Sequence, residues 1–257
     1  MLQLPRSAAL VARLEVVERA GSTNADLVRA AGDDPEAWPA PAVLVTDHQT
    51  AGRGRQGRTW SAGAGDSLAI SVLLDPGVPR ERLGWLSLAA GAAMTRALRG
   101  LGVEASAKWP NDVLIGGRKV CGVLAEALPD GRRVVVGAGL NHAGRAADLP
   151  VPTATSLAVE GGPTDPDLLL AAYLTELLAL SADLAAAGGD PDRGLREIVR
   201  RVSGTIGRRV RVSLPDGSAL EGEAVDVDSE GRIVVDTTSI HGRTAVPAGD
   251  VEHLRYT

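Results

Sequence analysis

The sequence predicts an α+β protein: a mixed sheet with flanking helices, followed by a small β-barrel. Two observations support this fold class. Apolar strand patterns alternate with helical periodicity over most of the chain, and the pattern changes near Ser203-Gly204, after which only short strands and tight turns occur. We therefore predict a larger domain over residues 1–205 and a barrel over residues 206–257.

The first half of the chain supplies strands and two helices. A short helix is predicted to begin near Thr23 and Asp26, which form a capping-box pattern. Residues 42–46 and 67–74 have the continuous apolar character of buried strands. Residues 81–101 repeat apolar side chains every three or four positions, which predicts a long helix.

The second half begins with a predicted hairpin, in which strands 120–127 and 132–139 flank a Pro-Asp-Gly turn. Two Asp-Pro steps, at Asp165 and Asp190, each predict the start of a helix. In the barrel, strands are predicted at residues 209–214, 219–228, 232–237 and 245–254.

Composition narrows the classes of function. Of 257 residues, 44% are hydrophobic and 23% charged, which is ordinary for a globular protein. The net charge of -5 disfavours DNA or an anionic membrane as a partner. No run of about 18 apolar residues predicts a membrane span. A single cysteine excludes a disulfide framework, the histidines lack metal-ligand spacing, and no signal peptide is visible, so we expect a cytoplasmic protein.

A loop rich in glycine and arginine is the first candidate binding segment. Residues 52–60 read GRGRQGRTW, and the strand that follows them argues against a dinucleotide-binding turn, which needs a helix there. Arg53, Arg55 and Arg58 repel one another unless an anion binds between them. The loop therefore predicts a phosphate or carboxylate site that becomes ordered on binding. The alternatives are a solvated basic loop or a contact with nucleic acid.

The two lysines mark the second segment. Among 27 lysine and arginine residues only Lys108 and Lys119 are lysine, which suggests places where a compact ammonium is needed. Compositional drift is the alternative. A Trp-Pro step after Lys108 predicts a rigid bend that places Asn111 and Asp112 at the start of a strand, although an ordinary turn would have the same composition. Gly122, inside the next strand, predicts a close neighbour.

Glycines at the end of a strand mark the third segment. Gly137 and Gly139 precede an amide side chain, Asn141, and a β-bulge is the alternative explanation. Cys121 is predicted to be a small buried residue rather than a nucleophile.

Taken together, these segments resemble the biotin protein ligase family. The matching stretches are Ser22-Thr23-Asn24, Gln49 to Trp60, Lys108 to Asp112, Arg118 to Gly122, Gly137 to Asn141 and the barrel residues Ala248 to Val251. The resemblance implies a class II synthetase-like catalytic fold, also called the biotin–lipoate ligase fold, with an SH3-like barrel. It also implies an enzyme that converts biotin and ATP to biotinyl-5′-AMP and pyrophosphate. The biotin would then pass to a lysine of the biotin carboxyl carrier protein domain of acyl-CoA carboxylases.

The resemblance implies a role for each matching residue. Biotin would contact Ser22, Thr23, Asn24, Gln49, Arg53, Gly54, Arg55, Lys119 and Gly122. The nucleotide would contact Arg55, Arg58, Trp60, Lys108, Asn111 and Asn141. Lys119, Arg53 and Asp112 would be catalytic, with Asp112 steering or deprotonating the carrier lysine. Mg²⁺ is expected on the ATP phosphates, without a protein metal site.

Two other functions remain open at this stage: a lipoate-type protein ligase, and a biotin-binding sensor without catalysis. Many family members also carry an N-terminal DNA-binding domain. The roughly 20 residues before Ser22 are too few for a three-helix domain. We therefore expect the monofunctional form, as a monomer or homodimer, with no nucleic acid or membrane as partner.

Overall fold

The computed structural model describes residues 2–214, 217–237, 242–247 and 250–253. The helices in these residues are α1 (Pro5–Ala8), α2 (Thr23–Asp33), α3 (Trp85–Gly100), α4 (Pro166–Ala186) and α5 (Leu195–Val202). The strands are β1 (Arg13–Val16), β2 (Ala42–Thr46), β3 (Gly52–Arg53), β4 (Thr59–Trp60), β5 (Ser67–Leu74), β6 (Ala105–Lys108), β7 (Asp112–Ile115), β8 (Arg118–Ala127), β9 (Val134–Asn141), β10 (Arg209–Ser213), β11 (Ala219–Val227), β12 (Ile233–Asp236), β13 (Arg243–Val246) and β14 (Asp250–His253).

A seven-stranded mixed sheet organises the larger domain, in the order β1-β2-β5-β9-β8-β7-β6. The β1–β2 pair is parallel and the other pairs are antiparallel. Helices α3 and α4 pack against each other, and α3 also packs on β8 and β9. Side chains of α2, including Leu27, join a second apolar cluster with Leu73 of β5 and Val135 of β9. The central strands are therefore buried on both faces, as their continuous apolar sequences predict.

The helix starts differ slightly from the prediction. Ser22, not Thr23, is the N-cap of α2, and its hydroxyl accepts a hydrogen bond from the backbone N–H of Ala25 at 3.5 Å. Asp165 caps α4 as predicted. Asp190 caps only a short 3₁₀ turn, because Gly194, with φ of 137°, interrupts the chain before α5 begins.

Two edge strands, β1 and β6, are absent from the sequence prediction. Each has four residues, and β1 is only half-buried throughout. Short edge strands have neither strict alternation nor a continuous apolar run, so the sequence pattern does not reveal them.

The C-terminal unit is a five-stranded antiparallel sheet in the order β13-β12-β11-β10-β14. Its core includes Val210, Val212, Ala224 and Val235, all fully buried. The stretch predicted as one strand over residues 245–254 contains parts of both β13 and β14, which corrects that prediction. Ala248, Gly249 and Leu254 lie outside the described residues.

Helix α4 resembles a membrane span in length and composition, although Asp167, Glu176 and Asp183 interrupt its apolar sequence. It has 21 residues, and an 18-residue window within it has a mean hydropathy of 1.6, so its length and composition would allow it to cross a membrane. Leu170, Tyr173, Leu174 and Leu177 on this helix are fully buried in the core of the domain. Packing in the protein core accounts for the apolar sequence of this helix.

Candidate active site

A cavity of about 350 Å³ brings most of the predicted site residues together. Its wall comes from the start of α2, the β3–β4 hairpin, the bend between β6 and β7, strands β8 and β9, and β14. The predicted residues in this wall are Ser22, Thr23, Asn24, Gln49, Arg53, Gly54, Arg55, Arg58, Trp60, Lys108, Asn111, Asp112, Lys119 and Gly122. The arginine-rich loop and Lys119 therefore share one cavity.

The arginine-rich loop forms a short hairpin beside this cavity. Strands β3 and β4 pair antiparallel, and the backbone N–H of Gly54 donates to the carbonyl of Arg58 at 2.6 Å. Gly52 is required at its position, because a Cβ there would meet the carbonyl oxygen of Trp60 at 2.6 Å. The dependence of the loop's order on an anion stays a prediction.

Glycines of β8 and β9 form a flat surface under the Trp60 ring. Gly122 and Gly139 are paired in register, and a Cβ on them would approach the ring to 3.1 Å and 2.5 Å respectively. A Cβ on Gly137 would similarly collide with the side-chain amide of Asn24. Strand β9 pairs with both neighbours without a register shift, so the β-bulge explanation for these glycines is wrong.

The polar end of the cavity is a partly buried hydrogen-bond network. Gln49 Oε1 accepts from the backbone N–H of Thr23 at 2.9 Å and is 3.2 Å from its hydroxyl. The hydroxyl of Ser71 lies 2.8 Å from that of Thr23 and 2.6 Å from Asn24 Oδ1. The Asn24 amide then donates to Glu126 Oε2 at 2.9 Å. Sequence analysis missed both Ser71 and Glu126.

Lys119 and Asp112 form an ion pair at the cationic end of the cavity. Lys119 Nζ lies 2.6 Å from Asp112 Oδ1 and 5.4 Å from the centroid of the Trp60 ring. A Cβ on Gly122 would lie 3.0 Å from both Cε and Nζ of Lys119. Gly122 therefore leaves the space that the lysine stem occupies, as the sequence predicts for a glycine inside this strand.

Arg53 is paired with a different carboxylate. Its Nη2 donates to Glu126 Oε2 at 3.0 Å, and Glu126 thus links the hairpin to Asn24. Because the Arg53 side chain is 48% exposed, this pair is screened by water and contributes little to stability.

Asn141 does not line the cavity. Its buried side-chain amide donates to the carbonyl of Thr155 at 3.0 Å. Cys121 is fully buried, as predicted, and burial raises the pKa of its thiol to about 12, so the thiol is protonated at neutral pH. Among the described residues, no group of three His, Cys, Asp or Glu side chains could hold a metal ion.

Comparison with known proteins places the chain in one family. Residues 16–141 match the biotin/lipoate A/B protein ligase family, and residues 205–254 match the biotin protein ligase C terminal domain. The biotin–[acetyl-CoA-carboxylase] ligase of Mycobacterium tuberculosis is 42% identical over 255 residues, which cover 95% of this chain and 90% of that protein. The chain belongs to the biotin protein ligase family. It is an enzyme of the ligase class, as the sequence predicted.

Other members of the biotin protein ligase family agree with this assignment. The bifunctional ligase/repressor BirA of Bacillus subtilis is 30% identical over 83% of this chain and 66% of its own length. The structure of the biotin protein ligase from Aquifex aeolicus in complex with biotin and ATP has a TM-score of 0.73 and 24% identity. It covers 95% of this chain and 100% of that one. This similarity confirms the predicted biotin protein ligase fold, with its mixed sheet and small C-terminal barrel.

Proposed function

We propose that this chain activates biotin with ATP to biotinyl-5′-AMP and transfers the biotinyl group to a lysine of a biotin carboxyl carrier domain. One observation carries the proposal: the hairpin arginines and Lys119 line the same cavity as the polar network around Thr23 and Gln49. A molecule with a polar ring system at one end and a carboxylate at the other matches both ends of that cavity.

The polar end suits the ring system of biotin. Ser22, Thr23, Asn24 and Gln49 offer donors and acceptors that neighbouring side chains already hold in place. The volume of the whole cavity, about 350 Å³, lies near the lower limit for small-molecule pockets, which favours a compact ligand.

In the first step, an oxygen of the biotin carboxylate attacks the α-phosphorus of ATP. The bond from that phosphorus to the bridging oxygen breaks, and pyrophosphate leaves. Because two anions must meet, charge neutralisation and positioning account for most of the catalysis. Lys119 supplies a compact charge at the junction, and Arg53, Arg55 and Arg58 supply charge along the phosphates.

The β3–β4 hairpin would bind the nucleotide and protect the biotinyl-5′-AMP intermediate. One face of the Trp60 ring lies on the glycine surface of β8 and β9. The opposite face would stack with adenine. The mixed anhydride hydrolyses in water, so a closed hairpin protects it until the carrier arrives.

In the second step, the neutral amine of the carrier lysine attacks the acyl carbon, and the bond between that carbon and the AMP oxygen breaks. Asp112 can attract this lysine and accept its proton only when Lys119 no longer neutralises it at 2.6 Å. The phosphate of the adenylate draws Lys119 toward itself and so exposes the Asp112 carboxylate for this role.

The expected Mg²⁺ needs no protein ligands. Among the described residues near the cavity, the carboxylates of Asp112 and Glu126 are each paired with a cation. Oxygen ligands for the ion would therefore come from the ATP phosphates, where it would neutralise negative charge.

Mass spectrometry tests the complete reaction. A carrier domain incubated with the chain, biotin and Mg-ATP is expected to gain one biotinyl group, while a carrier with its acceptor lysine replaced by arginine gains none. Biotin-dependent exchange of pyrophosphate into ATP tests the first step separately. Exchange with lipoate but not biotin would indicate a lipoate-type ligase, and biotin binding without exchange would indicate a sensor.

A further inference from the structure

The bend between β6 and β7 is fastened to the C-terminal part of the chain through two atoms of Trp109. The backbone N–H of Trp109 donates to Thr205 Oγ1 at 3.1 Å, and its indole N–H donates to the carbonyl of Gly231 at 3.0 Å. Gly231 lies in the turn between β11 and β12. Trp109 is 5% exposed and Thr205 is 0% exposed, so the bond between them is buried away from water.

Thr205 extends this connection to the last described strand of the barrel. Since its oxygen accepts from Trp109, its own hydroxyl proton is available to His253 Nε2, 3.2 Å away on β14. This arrangement requires an unprotonated Nε2. Burial, together with Lys108 and Arg208, lowers the pKa of His253 and so favours the neutral ring.

Residues on both sides of Trp109 belong to the active site. Lys108 and Asp112 are paired across β6 and β7, and both line the cavity. Asp112 in turn holds Lys119, so a shift of the bend would move the group that we place at the reacting carboxylate. Misplacement of about 1 Å at such a group can lower a rate by roughly 10²-fold.

We propose that Trp109 is a positioning residue, through which the barrel fixes the bend over residues 108–112 and thereby the Lys119–Asp112 pair. This inference rests on the proposed function, because the effect is measured on adenylate formation. It assigns to the barrel a role in the first chemical step.

The protein contains a matched control for this inference. Trp85, on α3, is 2% exposed, and its indole N–H donates to the carbonyl of Ser229 at 2.9 Å in the same turn between β11 and β12. Trp85→Phe and Trp109→Phe therefore each remove one indole hydrogen bond to that turn. Only Trp109 belongs to the active-site bend.

The experiment compares the two variants in biotin-dependent ATP–pyrophosphate exchange and in thermal unfolding. Both are expected to unfold at similarly reduced temperatures. Trp109→Phe is expected to lower kcat by about tenfold or more while the KM for biotin stays within about twofold, and Trp85→Phe is expected to keep kcat within about twofold. Equal kcat values for the two variants would overturn the inference, whereas an inactive wild type would overturn the proposed function instead.

Hydrogen exchange of residues 108–112 supplies a readout without catalysis. The backbone amides of residues 108, 109, 111 and 112 should exchange faster in Trp109→Phe than in Trp85→Phe, and equal rates would contradict the inference. Thr205 gives a further check, since Thr205→Val removes the hydroxyl and Thr205→Ser keeps it. We expect low kcat in the valine variant and near-normal kcat in the serine variant, and a normal kcat in both would exclude a role for this bond.

Discussion

The close packing of the Trp60 ring against Gly139 gives a prediction whose magnitude follows from the structure. A methyl group added by Gly139→Ala would lie 2.5 Å from Cε2 of the ring and 2.8 Å from both Cζ2 and Nε1. Gly139 sits in the middle of a seven-stranded sheet, whereas Trp60 sits on a two-residue strand of a small hairpin. The added methyl group is therefore expected to displace the β3–β4 hairpin and not the sheet.

The size of the movement follows from these distances. An ordinary contact begins at 3.4 Å, so the ring must retreat by about 0.9 Å. A displacement near 1 Å typically costs about 10²-fold in rate, or about 2.7 kcal/mol of activation free energy. Because the displaced hairpin is partly exposed, the loss of folding stability should stay below the range of about 1–3 kcal/mol that is typical of an overpacked core.

The assay is biotin-dependent ATP–pyrophosphate exchange alongside a thermal melt. Gly139→Ala should lower kcat/KM for ATP by about 10²-fold with a small change in melting temperature. Gly91→Ala, in α3, is the control, because no other heavy atom lies within 4 Å of the added methyl outside its own helix. Normal pyrophosphate exchange together with a large loss of stability in Gly139→Ala would refute the reasoning. That result would mean that the methyl group had displaced the sheet and not the hairpin.

Three further predictions concern charge. Lys119→Arg should lower pyrophosphate exchange by about 10²-fold or more, because the larger guanidinium does not fit between Asp112 and the strand; exchange near the wild-type rate would contradict this. Arg55→Ala should loosen the hairpin and shorten the retention of radiolabelled adenylate in a filter assay, and unchanged retention would exclude that role. Burial lowers the pKa of His142 from its ordinary 6.5, so the unfolded chain takes up the proton first as the pH falls. The stabilisation present above pH 6.5 is therefore lost below it, and urea unfolding should show a weaker pH dependence in His142→Gln than in the wild type.

Local signals allowed much of the site to be predicted from the sequence. The arginine-rich loop, the scarcity of lysine and Gly122 each mark a segment through composition alone. The structure brings these segments to one cavity, although they are far apart along the chain. The resemblance to a family supplied the order in which they belong together, which composition does not contain.

The side-chain contacts that Ser71 and Glu126 make with other elements could not be predicted from local sequence signals. Ser71 is one of two serines in β5, whose other residues are apolar, but its contact with Thr23 depends on how α2 packs against β5. Glu126 meets both Arg53 and Asn24 only because β8 passes between the hairpin and α2. These contacts depend on tertiary packing, and no spacing in the sequence encodes them.

The central claim is that the cationic cavity joins the biotin carboxylate to the α-phosphate of ATP. Biotin labelled with ¹⁸O in its carboxylate tests this directly in a full reaction with the carrier domain. The labelled oxygen that attacks phosphorus stays there when the lysine amine takes the acyl group. Mass spectrometry should therefore find one ¹⁸O atom in the AMP product. Biotinylated carrier accompanied by unlabelled AMP, or by ADP, would contradict the account.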